Sequence, residues 1–401
     1  MDQKLLDRFN YLKSLHLDID MSRGKPSKEQ LDLSNKMNDV LTSQSDYKSL
    51  DGVDVRNYGD LEGIKEARQL MGDVLGIDYQ NVLVLGNSSL SAMYEQIARS
   101  FIYGVCGNAP WSKLEKVQWL CPIPGYDRHF AMLEHFGIEM ISVPYYNDGP
   151  DMELIEALVN EENIKGIWIV PKFSNPLGIT YSDEVIRRLA RLKPAAKDFR
   201  IYVDNAYALH DFEGDVKLLN IYEEAKKAGN EDILYLFTST SKLSFPGSGI
   251  AAIGASENNI RDITSHLKYQ TISYDKINQL RHVCFFKNKE GLKSHALKHG
   301  QILLRKFKIV DEYLSKYCSD VAAWSTPKGG YFVTLKVKGN AKEVVARCKQ
   351  CGVKLTEAGA THPYHNDPTN SYIRLAPSYL SEEDLRQAME VICLSILLET
   401  E

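Results

Sequence analysis

Short runs of consecutive apolar residues punctuate the first two thirds of the chain: NVLVLG, VQWLCP, IEMISVPYY, KGIWIVPKF, RIYVDNAY, ILYLFTSTSK and GIAAIGAS. Between them lie longer stretches with apolar positions at helical spacing. A run that is apolar throughout, rather than alternating, suits a strand covered on both faces. Strands separated by helices need crossover connections, so the pattern predicts an α/β core with a mostly parallel sheet of about seven strands and helices on both faces. A long helical pattern then runs from about Leu292 through Tyr317, far enough to bridge two units. Beyond it GGYFVTLKV, VKLTEAG and SYIRLAPS alternate with the helical AKEVVARCKQ and SEEDLRQAMEVICLSILLE, a smaller α+β unit. The opening MDQKLLDRFNYLKSLHLDID reads as an amphipathic helix. No repeat, low-complexity tract or Gly/Ser linker separates the two units, so they are expected to pack closely.

Composition narrows the function only a little. The 401 residues allow a large core, and a formal net charge of −5 gives no footprint for nucleic acid or an anionic membrane. The charged opening is unlike a secretory signal, and no apolar run approaches a membrane span, so a cytoplasmic protein is expected. Seven scattered cysteines fit free thiols. Cys348 and Cys351 have C-x-x-C spacing at the end of a helical pattern without a second pair, and His362 and His365 are loop histidines, so no metal site is expected.

The chemistry gathers where the strands end. In open α/β sheets, ligands bind beyond the carboxyl ends of the strands. After NVLVL comes GNSSLSAMYEQIA, where Asn87, Ser88 and Ser89 open a helix and could present hydroxyl and N–H donors to an anion. A serine there is ordinarily only an N-cap. After VQWLC, PIPGYDRHF places Tyr126 where a ring could cover a planar ligand. After GIWIVPKF, Asn175 stands before Pro176 and Gly178 in a constrained turn. Asp204 closes the strand RIYVD, with Tyr207 three residues on. The next strand ends in Ser239, Ser241 and Lys242, and an amine between two apolar segments calls for a partner or a chemical use.

Taken in order, these motifs resemble the fold-type-I family of pyridoxal-phosphate (PLP) enzymes, the aspartate aminotransferase superfamily. The resemblance runs from MSRGKPSKEQLDLS to SYIRLAPSYLSEEDL. With NYGDLEGIKEAR and PKFSNPLGITYS, it is most similar to the bacterial aspartate aminotransferase subgroup related to the aminotransferase domain of MocR-type regulators. The resemblance implies that Lys242 carries the cofactor and moves the substrate proton, that Asp204 pairs with the ring nitrogen, and that Tyr207 and Asn175 bond the ring's phenolic oxygen. It implies Tyr126 on the ring face, Ser88, Ser89 and Ser239, with Asn87 and Ser241 beside them, at the phosphate, and Tyr58 reaching the site of a neighbouring subunit in a homodimer. Arg374 in SYIRLAPS matches the arginine that grips the substrate α-carboxylate. Arg23, beside Gly24 in MSRGKPS, is favoured over Arg128 and Lys268 for a distal carboxylate. The arginine that many relatives carry shortly after the lysine is missing from SKLSFPGSGIAA, so hydroxyls, N–H groups or another cation must meet the phosphate charge.

The expected division is residues 46–300 for the large PLP-binding domain, and residues 1–45 with 301–401 for the small one. The expected reaction is transamination between an amino acid, foremost L-aspartate, and 2-oxoglutarate. The same cofactor would serve a β-lyase or an aminotransferase for aromatic or longer acidic amino acids. A PLP-sensing regulatory domain is disfavoured, because about twenty residues before MSRGKPS are too few for a helix-turn-helix.

Overall fold

A computed structural model describes residues 3–400. In chain order the strands are β1 (Ile19–Asp20), β2 (Val82–Val84), β3 (Gln118–Ile123), β4 (Glu139–Tyr146), β5 (Gly149–Pro150), β6 (Ile164–Ile169), β7 (Arg200–Asp204), β8 (Leu234–Ser239), β9 (Ala251–Ala255), β10 (Ala322–Trp324), β11 (Val333–Val337), β12 (Val353–Lys354) and β13 (Tyr372–Leu375). The central sheet runs β2-β9-β8-β7-β6-β3-β4-β5. The five strands β8, β7, β6, β3 and β4 are mutually parallel, and β9 lies antiparallel to both β8 and β2. The sheet thus has one strand more than the apolar runs predict. The addition is the two-residue β5, which returns antiparallel on β4 and is too short to leave a periodic signal.

The apolar runs earn their place by being covered twice. Every residue of β6 and β7 is buried, yet successive side chains still face opposite ways. Ile201 and Val203 join a cluster with Ile155, Ile186 and Leu189 from the helices on one face. Tyr202 joins Trp119, Trp168 and Phe237 on the other. On that second face Trp119 and Trp168 each meet the Tyr202 ring edge-on, with centroids 5.0 and 4.9 Å away. Truncating one such ring to alanine costs about 3–5 kcal/mol in a packed core.

The terminal unit draws on both ends of the chain. Its three-stranded sheet, β10-β11-β13, is antiparallel, and β1 pairs in parallel with β12. Phe9 and Leu12 of the opening helix, Gln3–Ser14, pack into one cluster with Leu303, Leu314, Leu335, Leu385 and Ile392. Val170, Phe173 and Tyr207, from the loops after β6 and β7, belong to the same cluster, so this core is continuous with the site edge of the large sheet. The bridging helix spans Lys289–Tyr317, 29 residues. It starts three residues before the expected Leu292 because the Asn288 side chain accepts from Gly291 N and caps it there. Residues 300 and 301, the expected junction between domains, fall inside this helix.

The directions of the strands explain where the chemistry collects. Because β2 and β9 each reverse relative to the next strand, the carboxyl ends of β2, β3, β6, β7 and β8 meet at one edge together with the amino end of β9. No helix among the described residues is long and apolar enough to cross a membrane.

Candidate active site

Lys242 sits in the link from β8 to β9, and its side chain enters a cavity of about 440 Å³ at this edge. The lining includes Ser88, Ser89, Tyr126, Asn175, Asp204 and Tyr207, and also Ser239, Ser241, Arg374, Arg23, Gly24 and Arg128. Burial lowers the Lys242 pKa from the usual lysine value, against the opposing pull of the Asp204 carboxylate. Its Nζ lies 5.1 Å from the centre of the Tyr207 ring and 5.9 Å from that of Tyr331. From behind, Gln30 Nε2 donates to Tyr331 Oη (2.9 Å), and Tyr331 Oη donates to the Lys242 carbonyl (3.4 Å). A residue from the N-terminal segment therefore braces the lysine's backbone.

Asp204 is buried at the end of β7. Its Oδ1 accepts from Ala206 N at 3.1 Å, and its Oδ2 accepts from His129 Nε2 at 3.2 Å. The His129 ring is itself fixed by stacking on Trp168, with centroids 4.2 Å apart and planes at 10°. Tyr126 meets His129 edge-on at 4.9 Å, and burial pushes its phenol up to about 12. Tyr207 is likewise raised by burial.

At the opposite wall the Ser88 residue is the N-cap of the helix Ser89–Tyr103, but its side chain makes no cap bond. Ser88, Ser89 and Leu90 of this uncapped first turn line the cavity, and the first N–H groups of a helix have no partner within it. Ser239 Oγ donates to Ser241 Oγ (3.0 Å), which donates to the Asn87 carbonyl (3.2 Å).

Two arginines of the terminal segments, Arg374 and Arg23, line the cavity. Arg374 lies on β13, 3% exposed. Its Nη1 donates to Asp127 Oδ1 (2.8 Å) and Asn175 Oδ1 (3.3 Å), and its Nη2 to Thr356 Oγ1 (3.2 Å). Its Nε is buried without a partner. Arg23 Nη1 approaches the other Asp127 oxygen at 3.4 Å. A Cβ at the adjacent Gly24 would lie 2.6 Å from Phe332 Cζ, so a side chain there needs the ring to shift.

Three sequence candidates lie outside this lining. Asn87 turns its amide away, Nδ2 donating to Gly247 O (3.0 Å). Tyr58 is 77% exposed. Lys268 is in the last turn of the helix Glu257–Gln270, over the Tyr269 ring. Conversely, Asp127, His129, Thr356 and the Gln30–Tyr331 pair escaped the sequence reading. Asp127 and His129 had a signal, because they follow Tyr126 on the first turn of one helix, Asp127–His135. The others become neighbours of the site only through long-range packing. Cys348 and Cys351 are buried, and no group of three or more His, Cys, Asp or Glu side chains among the described residues could hold a metal.

In this fold a lysine and an aspartate at the strand ends face an arginine across one cavity, the arrangement of a fold-type-I enzyme acting on amino acids. Residues 1–401 match the pattern of the aspartate amino-transferase family. The chain is 43% identical over 398 residues to an aspartate aminotransferase of Corynebacterium glutamicum, covering 98% of this chain and 91% of that one. The crystal structure of an aspartate transaminase from Corynebacterium glutamicum matches with a TM-score of 0.96 at 42% identity, over 99% of this chain and 95% of that one. The fold alone extends to an α-aminoadipate aminotransferase of Thermus thermophilus, solved with N-(5'-phosphopyridoxyl)-L-leucine, at TM-score 0.78 and 17% identity over 99% of this chain and 95% of that one. The chain belongs to the aspartate aminotransferase family.

Proposed function

We propose that the protein transfers an amino group between L-aspartate and 2-oxoglutarate, with PLP as its cofactor. The observation that carries this reading is the shared cavity, in which one enclosed lysine, one buried aspartate and one buried arginine face the same space. The donor set suits the cofactor. The uncapped helix start at Ser88 and Ser89, with the hydroxyls of Ser239 and Ser241, offers an anion site for the phosphate without the missing arginine. Asp204, oriented by His129, would hold the ring nitrogen. Tyr126 would cover the ring, and Asn175 and Tyr207 would bond its phenolic oxygen.

When bound, PLP supplies an electron sink for the substrate's α-carbon. The chain supplies the rest. Lys242 is the attachment point, and burial lowers its pKa, so its amine gives up a proton more readily than a surface lysine does. Arg374 would take the α-carboxylate common to all amino acids, which suits a planar guanidinium held on three sides. Arg23, adjoining Gly24, would take the distal carboxylate. Tyr58, exposed and outside its own subunit's cavity, would serve the neighbouring subunit of a homodimer. We assign residues 46–300 to the cofactor-binding domain and the two terminal segments to the small domain, and a reducing, cytoplasmic setting suits the seven free cysteines.

Borohydride reduction of the cofactor-loaded protein followed by peptide mapping is expected to fix the label on Lys242. A label on any other lysine removes this assignment.

A further inference from the structure

Asp127 belongs to neither the cofactor set nor the substrate set, yet it touches both arginines. Its side chain is 15% exposed, and each carboxylate oxygen faces a different guanidinium: Oδ1 faces Arg374 Nη1 at 2.8 Å and Oδ2 faces Arg23 Nη1 at 3.4 Å. Burial alone would push this carboxyl up, but the Arg374 guanidinium, helped by Arg23 and Arg128, outweighs it and holds it below the ordinary value. The carboxylate therefore stays charged.

The two arginines depend on it unequally. Arg374 is almost fully buried and keeps Asn175 and Thr356 as partners. Arg23 has a side chain 45% exposed, and the partner of its guanidinium among the described residues is Asp127. A long, half-exposed side chain costs rotamer entropy to immobilise, so a flexible cation without a tether is a poor recognition group.

Resting on the assignment of Arg374 and Arg23 to the substrate's two carboxylates, we infer that Asp127 is a positioning residue that sets selectivity for dicarboxylates: one carboxylate spans the two guanidiniums and holds Arg23 beside Arg374. It acts through the arginines rather than by touching substrate, since it stands outside the cavity lining. Loss of its charge has two consequences of opposite sign. Arg23 loses its tether, which weakens binding of a second carboxylate. Arg374 keeps its other partners and loses a neutralising anion, which strengthens or preserves its hold on a lone carboxylate.

The test is calorimetric titration of the holoenzyme with two unreactive ligands, succinate and propionate, in wild type, Asp127→Asn, Asp127→Glu and Arg374→Lys. In Asp127→Asn the preference for succinate over propionate should fall about threefold, less than the loss of Arg23 itself would cost. Propionate affinity should be unchanged or higher, and Asp127→Glu should restore part of the preference. A parallel loss for both ligands in Asp127→Asn, or an unchanged preference, overturns the inference and leaves Asp127 a structural ion-pair partner. Unchanged affinity for both ligands in Arg374→Lys overturns the underlying assignment of the anchor instead.

Discussion

Asp204 and Arg374 each place a charge in the same cavity, but they are mounted differently. Asp204 ends a central strand, and its partners are the next turn of its own chain and a histidine stacked on a core tryptophan. Arg374 stands on β13 of the terminal unit and reaches across to Asp127 and Asn175 of the large one, with Thr356 and the face of the Phe332 ring on its own side. Under the proposed function the contrast would suit how long each ligand stays: a resident cofactor would be served by groups locked in the interior of a sheet, and a substrate that must enter and leave would be gripped at the seam where two units meet.

The sharpest way to break the comparison is at the locked end. Asp204→Asn should keep part of the cofactor affinity but lower kcat by about 10²- to 10³-fold, the scale of one preorganised electrostatic partner. Single-turnover spectroscopy with aspartate checks this, and near-normal turnover would make the aspartate a structural group. At the seam, Arg374→Lys keeps the charge but not the fork, and should raise KM for every amino acid by roughly 30-fold, the lower part of the range for a buried charge pair. The smallest effect belongs to Arg23→Ala. Its half-exposed guanidinium is worth about 1 kcal/mol, so kcat/KM for aspartate should fall roughly fivefold while that for alanine hardly moves. Equal losses on both substrates would shift the distal role to Arg128.

The locked end is legible in the sequence from strand topology, whereas at the seam Arg374 and Arg23 are named only through the family resemblance and their shared partner is missed. Strands buried on both faces write themselves as unbroken apolar runs, and the residues just after them fall at the ligand edge by topology alone. That is how Asp204, Tyr126, Asn175 and Lys242 were found. Asp127 was passed over because a carboxylate after a loop tyrosine looks solvated, and its value comes from Arg374, remote in sequence and on another sheet. Asn87 shows the converse: its place beside two serines suggested a donor, but its amide is spent on Gly247 O, tying two turns together. The two-residue strands β1 and β5 leave no period to read, and β1 falls in the opening stretch read as helix, the helix itself ending at Ser14.

The link that carries Lys242 is fastened at both roots. Thr240 N donates to Ile250 O at 2.9 Å, Ile250 N donates to Thr240 Oγ1 at 3.0 Å, and Ser239 pairs with Ala251 where β8 ends and β9 begins. The segment is therefore an eyelet rather than a hinge, and the travel of the amine must come from its own four methylenes. For anyone grafting or shuffling sequences this marks residues 240–250 as a fixed-length cassette. Lengthening it by one residue would re-aim the amine without disturbing either strand, giving a folded protein whose Lys242 no longer enters the cavity.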